Sequence, residues 1–410
     1  MNKNIKLAVA GAVLALSATA NAGIIIPAGD WTVDLGGNMN SFFANVDTET
    51  TTAAGVRTKG SANNTIGTGL LPSALGIGAK TRQNDIDTAI QFTFFTGSSS
   101  GAAGVGGRSS GGGAGNNSLN IRQAFLTFGD KSWGTFKLGR DLGIFGSDAI
   151  LSDMTLLGVG TGGQLHGGSS TLGRIGSGYI YADWKGQVSY STPNFNGFQV
   201  SIGAMENFGA ANQAKRDMSY EAKATYDFAA DNFSGRVWVS GLSQKSEGNA
   251  ATTGTQATGS TVAQVLDVAA GNTYTSRGVD IGAKVTAGPA SLVGYYYDGK
   301  GLDGQNVVQG LFNANGVKSD DDGGYVQATY VLPTQTKIGA SFGRSNSKHT
   351  ASAFDYENES WVVGAYHPLT KHLNLVAEYT DQEVKNKAAT GTGVTKTERD
   401  TISLGAILFF

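Results

Sequence analysis

The 410-residue chain has no cysteine, only six prolines and four histidines, and no basic surplus, with 30 Lys plus Arg against 32 Asp plus Glu. Without cysteine there is no disulfide framework. A closed β-barrel pairs its backbone groups between strands and needs no such staple, although a lineage that uses little cysteine would look the same. His166, His349, His367 and His372 show neither ligand spacing nor a carboxylate close by in sequence, so neither a metal centre nor a catalytic triad is indicated. His166 is the one histidine placed where it could sense protons in a pore, though an ordinary polar loop residue would look the same. No basic cluster or stripe appears, which excludes nucleic acid as a partner.

Long apolar runs are also missing, except at the start. Lys3 and Lys6 precede an apolar run from Leu7 to Ala20 and the small-residue exit Ala20-Asn21-Ala22. About 14 apolar residues are too few to cross a bilayer core of about 30 Å, so residues 1–22 read as a secretory signal peptide and 23–410 as the exported domain. Its removal takes two lysines and no acid, moving the formal net charge from -2 to -4. Beyond it nothing approaches the roughly 20 apolar residues of a spanning helix, which leaves a soluble, surface-attached or β-barrel membrane protein. With 61 glycines and a mean hydropathy of -0.14, the chain is too polar for a helical membrane protein and too glycine-rich for an ordinary soluble domain.

What is present is alternation with a period of two. Val279, Ile281, Ala283 and Val285 alternate with Asp280, Gly282, Lys284 and Thr286; Tyr220, Ala222, Ala224, Tyr226 and Phe228 alternate with Glu221, Lys223, Thr225 and Asp227. Ile86, Ile90, Phe92 and Phe94, and likewise Leu373, Leu375, Ala377 and Tyr379, repeat the pattern. A soluble sandwich would alternate too, so connection lengths decide. Short turns at 83–85, 130–133, 193–197, 229–232, 287–289, 332–335 and 368–372 alternate with long polar segments at 47–73, 97–117, 147–177, 209–217, 249–273, 305–322, 349–359 and 387–399. Eight long and seven short connections imply 16 strands, an all-β antiparallel transmembrane β-barrel with short turns on the periplasmic side. Asp400 to Phe410 carries a continuous apolar face and pairs with the first strand, near Trp31 to Val46, removing both edges. Aromatic residues gather at strand ends, as interfacial girdles require: Phe128 and Trp133, Phe195 and Phe198, Phe228 and Phe233, Tyr179, Tyr181 and Trp184, and Tyr295 to Tyr297.

The stretch from Ile121 to Gly163 organises the rest. Two short strands carry Arg122 and Arg140 and feed a loop too long for a hairpin. With Arg122-Gln123-Ala124-Phe125, Trp133-Gly134-Thr135-Phe136-Lys137-Leu138-Gly139-Arg140, the segment Ser189 to Phe198 and the terminal Phe410, the chain resembles the trimeric general porins of Gram-negative outer membranes. The resemblance covers nearly the whole mature sequence. It implies a homotrimer, a basic ladder that includes Arg122 and Arg140, and a third external loop, Ser147 to Ser177, folded inward with Asp148 and Asp153 opposite the arginines. It makes Arg82 a further ladder candidate. Opposed charges across a narrow bore would set up a transverse field that favours polar solutes, and a lumen arginine stays charged at any relevant pH; two arginines on a merely solvated face are the alternative. The sequence departs from the family at the loop tip. Many members carry Pro-Glu-Phe-Gly-Gly there, whereas Leu157 to Gly163 has no carboxylate. The second external loop, Gly97 to Asn117, which latches neighbouring subunits in the family, is here mostly glycine and serine.

Other motifs carry less. Gly97-Ser98-Ser99-Ser100-Gly101 and Gly107-Arg108-Ser109-Ser110-Gly111 match a hydrolase pattern, but neither follows a strand at an elbow. Gly158-x-Gly160-x-x-Gly163 lacks the βαβ surroundings of a dinucleotide fingerprint. Asp320-Asp321-Asp322 is either solvated surface or a place for divalent cations that bridge lipopolysaccharide. No cofactor is called for. The reading is an outer-membrane porin that passes small hydrophilic solutes and ions, amid lipid and lipopolysaccharide. A substrate-selective channel with Trp238, Tyr295 and Tyr297 in its bore, a non-conducting surface protein and an outer-membrane enzyme are the rivals. On this reading, Arg122→Ala and Arg140→Ala move selectivity toward cations.

Overall fold

The computed structural model describes residues 23–60, 62–98, 119–161, 170–207, 213–214, 217–248, 273–302, 319–349, 355–387 and 393–410. The leader at 1–22, the serine-rich matches to the hydrolase pattern beyond Ser98, and His166 lie outside them.

Sixteen antiparallel strands form a closed wall. They are β1 (Trp31–Thr51), β2 in three pieces (Arg57–Lys59, Asn63–Gly67 and Ser73–Gln83), β3 (Ile86–Thr96), β4 (Asn120–Asp130), β5 (Gly134–Leu142), β6 (Trp184–Ser191), β7 (Phe198–Met205) and β8 (Ser219–Ala229). The second half comprises β9 (Phe233–Gly248), β10 (Thr273–Ala287), β11 (Ala290–Lys300), β12 (Ser319–Val331), β13 (Lys337–His349), β14 (Asp355–Pro368), β15 (Leu373–Lys387) and β16 (Val394–Phe409). Two fragments, Ile24–Ala28 and Gln213–Ala214, add to this wall. Closure is made by β16 against β1, from Asn38↔Phe409 to Thr51↔Lys396. Below that seam Ile24–Ala28 continues the pairing along β1 from Leu35 to Trp31. A closed ring leaves no unpaired edge in lipid. Among the described residues no helix is long and apolar enough to cross a membrane.

Alternation sets which side chains meet lipid. Along β10, Val279 and Ile281 are exposed while Gly278, Asp280 and Gly282 are buried; along β16, Ile402 and Leu404 are exposed while Thr401 and Ser403 are buried. Outside, at the short-turn end, Phe128 stacks on Phe136, which also meets Trp133 and Tyr190. Phe228 lies between Tyr226 and Phe233 in the same way. These are girdle positions. Tyr179, Trp184, Tyr295 and Tyr297 are not, because all four are buried, and only Tyr296 of the tyrosine run faces out.

Several strands run further than alternation indicates. β1 continues through Thr51, β12 starts at Ser319, β14 at Asp355 and β16 at Val394. At about 3.3 Å per residue a 21-residue strand reaches roughly 70 Å, well beyond the hydrocarbon layer, and its outer part meets water on a face that no longer needs apolar residues. The Asp320 to Asp322 run falls in such a strand end. Asp321 there is buried and accepts hydrogen bonds from Leu302 N (2.8 Å), Ser319 Oγ (2.7 Å) and Ser347 Oγ (2.6 Å).

Candidate pore constriction

After Leu142 the chain leaves the wall and rejoins it at Trp184. Gly143 N donates to Asp183 O at 2.7 Å and pins the base of this long loop. Gly146, at φ 73, turns the chain into a short helix, α1 (Ser147–Ser152), and Asp153 then caps the 3-10 turn Met154–Leu157 by accepting from Thr155 N at 2.9 Å. A left-handed residue followed by two short turns keeps the segment compact, which a loop confined by a wall requires.

Groups at inward positions of β8 to β15 hold it. Glu221 accepts from Ile144 N and Phe145 N, both at 2.8 Å, and Asp280 accepts from Gly146 N at 3.1 Å. Tyr325 donates its hydroxyl to Ala149 O (2.8 Å), and Gln327 accepts from Met154 N (2.6 Å). At the tip, Glu378 accepts from Val159 N (2.8 Å) and Gly160 N (2.7 Å), and Thr380 donates to Gly160 O (3.1 Å). On the returning arm, the fully buried Arg174 donates to Ser341 Oγ (2.6 Å), Ser341 O (2.7 Å), Ser360 Oγ (2.9 Å) and Ser360 O (3.2 Å). Among the described residues, these buried loop groups thus find partners on the wall, as burial of backbone demands. Apolar contact adds to this. Phe145, Ile150, Leu156, Tyr179 and Ile180 pack on Trp238, Tyr295, Tyr297 and Tyr325, while Val159 joins a second cluster with Phe42, Phe95, Trp184 and Tyr366.

The charges are arranged differently from the pattern expected from sequence. Arg122 is the extra residue of a β-bulge, because Thr93 pairs with Gln123 while Phe94 pairs with Ile121. A bulge re-aims its side chain. The guanidinium lies 4.8 Å over the Phe95 ring, 6 % exposed, and its Nε has no hydrogen-bond partner among the described residues. Arg140 pairs with Ala124, which is itself opposite the exposed Phe92, and shares the parity of Phe136 and Leu138, so its position belongs to the outer face, while its Nε is buried and its charge still reaches Arg122 and Tyr181. Arg82 sits by the first short turn, bonded to Asp87 and Asp130 at 2.9 Å each, and is no part of a ladder near the loop. Neither Asp148 nor Asp153 meets these arginines; the acid whose charge reaches Arg122 is Asp183, at the base of the loop. Asp153 accepts from Thr155 Oγ1 (2.7 Å) and the Tyr179 hydroxyl (2.8 Å). Asp148 is paired with Lys223 (2.6 Å) and Arg236 (3.0 Å). Burial works against the Asp148 charge, yet those two cations hold its carboxyl below the usual carboxylate range.

The charged residues that hold the loop therefore include Glu221, Lys223, Arg236, Asp280 and Glu378. Their signal in the sequence was a charge at the polar position of an otherwise alternating strand.

A closed 16-stranded barrel whose third long connection is bonded to inward side chains is the architecture of an outer-membrane channel. The family model of Gram-negative porins matches residues 7–387, and the chain belongs to that family, whose members form outer-membrane channels for passive diffusion. Comparison with curated protein sequences gives no match. Three solved structures share the fold. The anion-selective porin of Comamonas acidovorans is 17% identical, with a TM-score of 0.58, 93% of this chain and 100% of that one covered. The outer-membrane channel DcaP of Acinetobacter baumannii is 17% identical, with a TM-score of 0.61 and 95% and 100% covered. The trimer form of OmpT, an outer membrane protein of Vibrio cholerae, is 16% identical, with a TM-score of 0.51 and 93% and 99% covered.

Proposed function

We propose that the barrel is a porin whose water-filled path for small hydrophilic solutes and ions is narrowed by the inward-folded loop 143–183, and that it acts as a homotrimer without enzymatic activity. The observation that carries this is the set of hydrogen bonds from β8, β10 and β12 to β15 into the loop backbone. A loop tied on so many sides stays in the bore, and its edge defines the passage. The charged filter is then formed by Asp148 with Lys223 and Arg236; Arg122, stacked on Phe95, and Arg140, at an outer-face position, stand apart from it. The apolar outer belt with its aromatic girdle supports a seat in outer-membrane lipid and lipopolysaccharide, reached through the signal peptide at 1–22. A trimer form of a protein with the same fold supports the oligomer.

The aromatic-staircase version of a substrate-selective channel is disfavoured. Trp238, Tyr295 and Tyr297 do point inward, but they are 3%, 5% and 0% exposed beneath the loop and offer no surface to a passing solute. Recording of purified protein in a planar bilayer tests the reading: stepwise conductance is expected, and its absence from refolded protein with intact heat-modifiable barrel structure would reject a pore.

A further inference from the structure

Between the loop and the short-turn mouth, four cations occupy inward positions of the wall: Lys223 on β8, Arg236 on β9, Lys284 on β10 and Lys337 on β13. Arg236 and Lys284 are directly opposite one another across the β9–β10 pair. Lys284 lies within electrostatic reach of Arg236, and Lys337 of Lys284, so the three form a connected array of like charge, tempered at Lys337 by attraction from Glu378 and Asp153. Like charges placed directly opposite destabilise a sheet unless something neutralises them.

The protein's own acids do this only in part. Asp148 serves Lys223 and Arg236, and Asp227 serves Arg236 through Nε at 2.6 Å. Lys284 and Lys337 have no ion-pair partner among the described residues. Lys337 instead lies 4.4 Å over the Tyr366 ring, and Lys284 is exposed. The other carboxylates of this wall are engaged. Glu221, Asp280 and Glu378 are buried as acceptors for loop amides, and Glu378 also accepts from the Tyr366 hydroxyl at 2.6 Å. Water-facing charge on this side of the bore is therefore positive, with two ammonium groups in excess of the paired set.

We infer that Lys284 and Lys337, backed by Arg236, form a binding step for small anionic solutes, carboxylate or phosphate in character, along the passage. This rests on the channel reading above. A site of this kind must attract an anion without holding it, and ammonium groups on flexible stems in water meet that need better than a rigid bidentate arginine clamp.

The test is the reversal potential of the purified wild-type protein in a planar bilayer under a KCl gradient. Chloride is expected to be favoured over potassium. Lys284→Gln and Lys337→Gln should each lower the anion-to-cation permeability ratio about sevenfold, because one unit charge across about 7 Å of water is worth about threefold for the anion and about threefold the other way for the cation, while the Lys→Arg variants preserve it. Inorganic phosphate should reduce chloride current in the wild type and less so in the double Gln variant. Arg140→Ala, on the outer face, should leave the ratio unchanged. Open channels with an unaltered ratio in both Gln variants would overturn the inference, as would an equal fall in Arg140→Ala. Absence of any conductance in the wild type would instead overturn the channel reading itself.

Discussion

Glu378 offers the sharpest test of how the loop is held. Its carboxylate is 4% exposed. It accepts from Val159 N at 2.8 Å, Gly160 N at 2.7 Å and the Tyr366 hydroxyl at 2.6 Å. Glu378→Ala strands two buried amides and a hydroxyl, and each unsatisfied group costs about 1–3 kcal/mol. Water entering the vacated space recovers part of this, so about 3–4 kcal/mol of local stability is the reasonable loss. At 1.4 kcal/mol per factor of ten, hydrogen-exchange protection of the Val159 and Gly160 amides should fall by a few hundredfold. Glu378→Gln keeps one carbonyl oxygen for both amides and should lose less than about tenfold. Amides at Ile144 and Phe145, which depend on Glu221, should not respond in either variant, because distant clasps act independently. Exchange at Val159 and Gly160 that is unchanged in Glu378→Ala, or equally fast in the Gln and Ala variants, would refute this account of the tip.

Two further outcomes follow from the same geometry. Arg174→Lys gives up a planar fork that serves two serines and should destabilise the returning arm by about 2–4 kcal/mol, read as faster limited proteolysis within 143–183 while the wall strands stay protected. Asp148→Asn frees Lys223 and Arg236 and should raise anion preference in the reversal-potential assay. Because the Asp148 carboxyl lies below its ordinary value of 3.8, its ion pairs contribute stability above that pH and lose it only as the pH falls through the lower folded value, so the wild-type selectivity set by Asp148 should hold from neutrality down to about pH 4.

The wall was legible because lipid imposes a rule on every strand that crosses it. A side chain at Val279 or Ile281 must be apolar while its neighbours need not be, and that contrast survives in a single sequence. The rule lapses outside the bilayer, which is why the ends of β1, β12, β14 and β16 read as loop. It also fails for the aromatic residues of the interior. Tyr295 and Tyr297 look like girdle residues in composition, but their parity with Val293 places them inside, where a loop covers them. Arg140 could have been placed by the same counting, since Phe136 and Leu138 set its parity. Arg122 could not, because the bulge that turns it inward beside Gln123 leaves no mark in residue type.

The loop tip shows how a local absence can be misread when its partner is far away in sequence. Leu157 to Gly163 lacks a carboxylate, which on its own suggests a weakened filter. Across the bore, however, Glu378 stands at an inward position of β15, and the tip's contribution is its backbone amides. That exchange needs close approach: a Cβ on Gly158 would sit 1.9 Å from Glu378 Oε1, and Gly160, at φ 62, would bring one to 2.5 Å from the Gly173 backbone. Any larger residue at 158 would push the tip off the acid, and an acid there would face another acid in a buried place, a repulsion that the charge of Lys337 would relieve only in part. The glycines and Glu378 are therefore one device. The acid that holds the tip lies on the wall, bonded out of water, which leaves the open charges of the passage to the lysines.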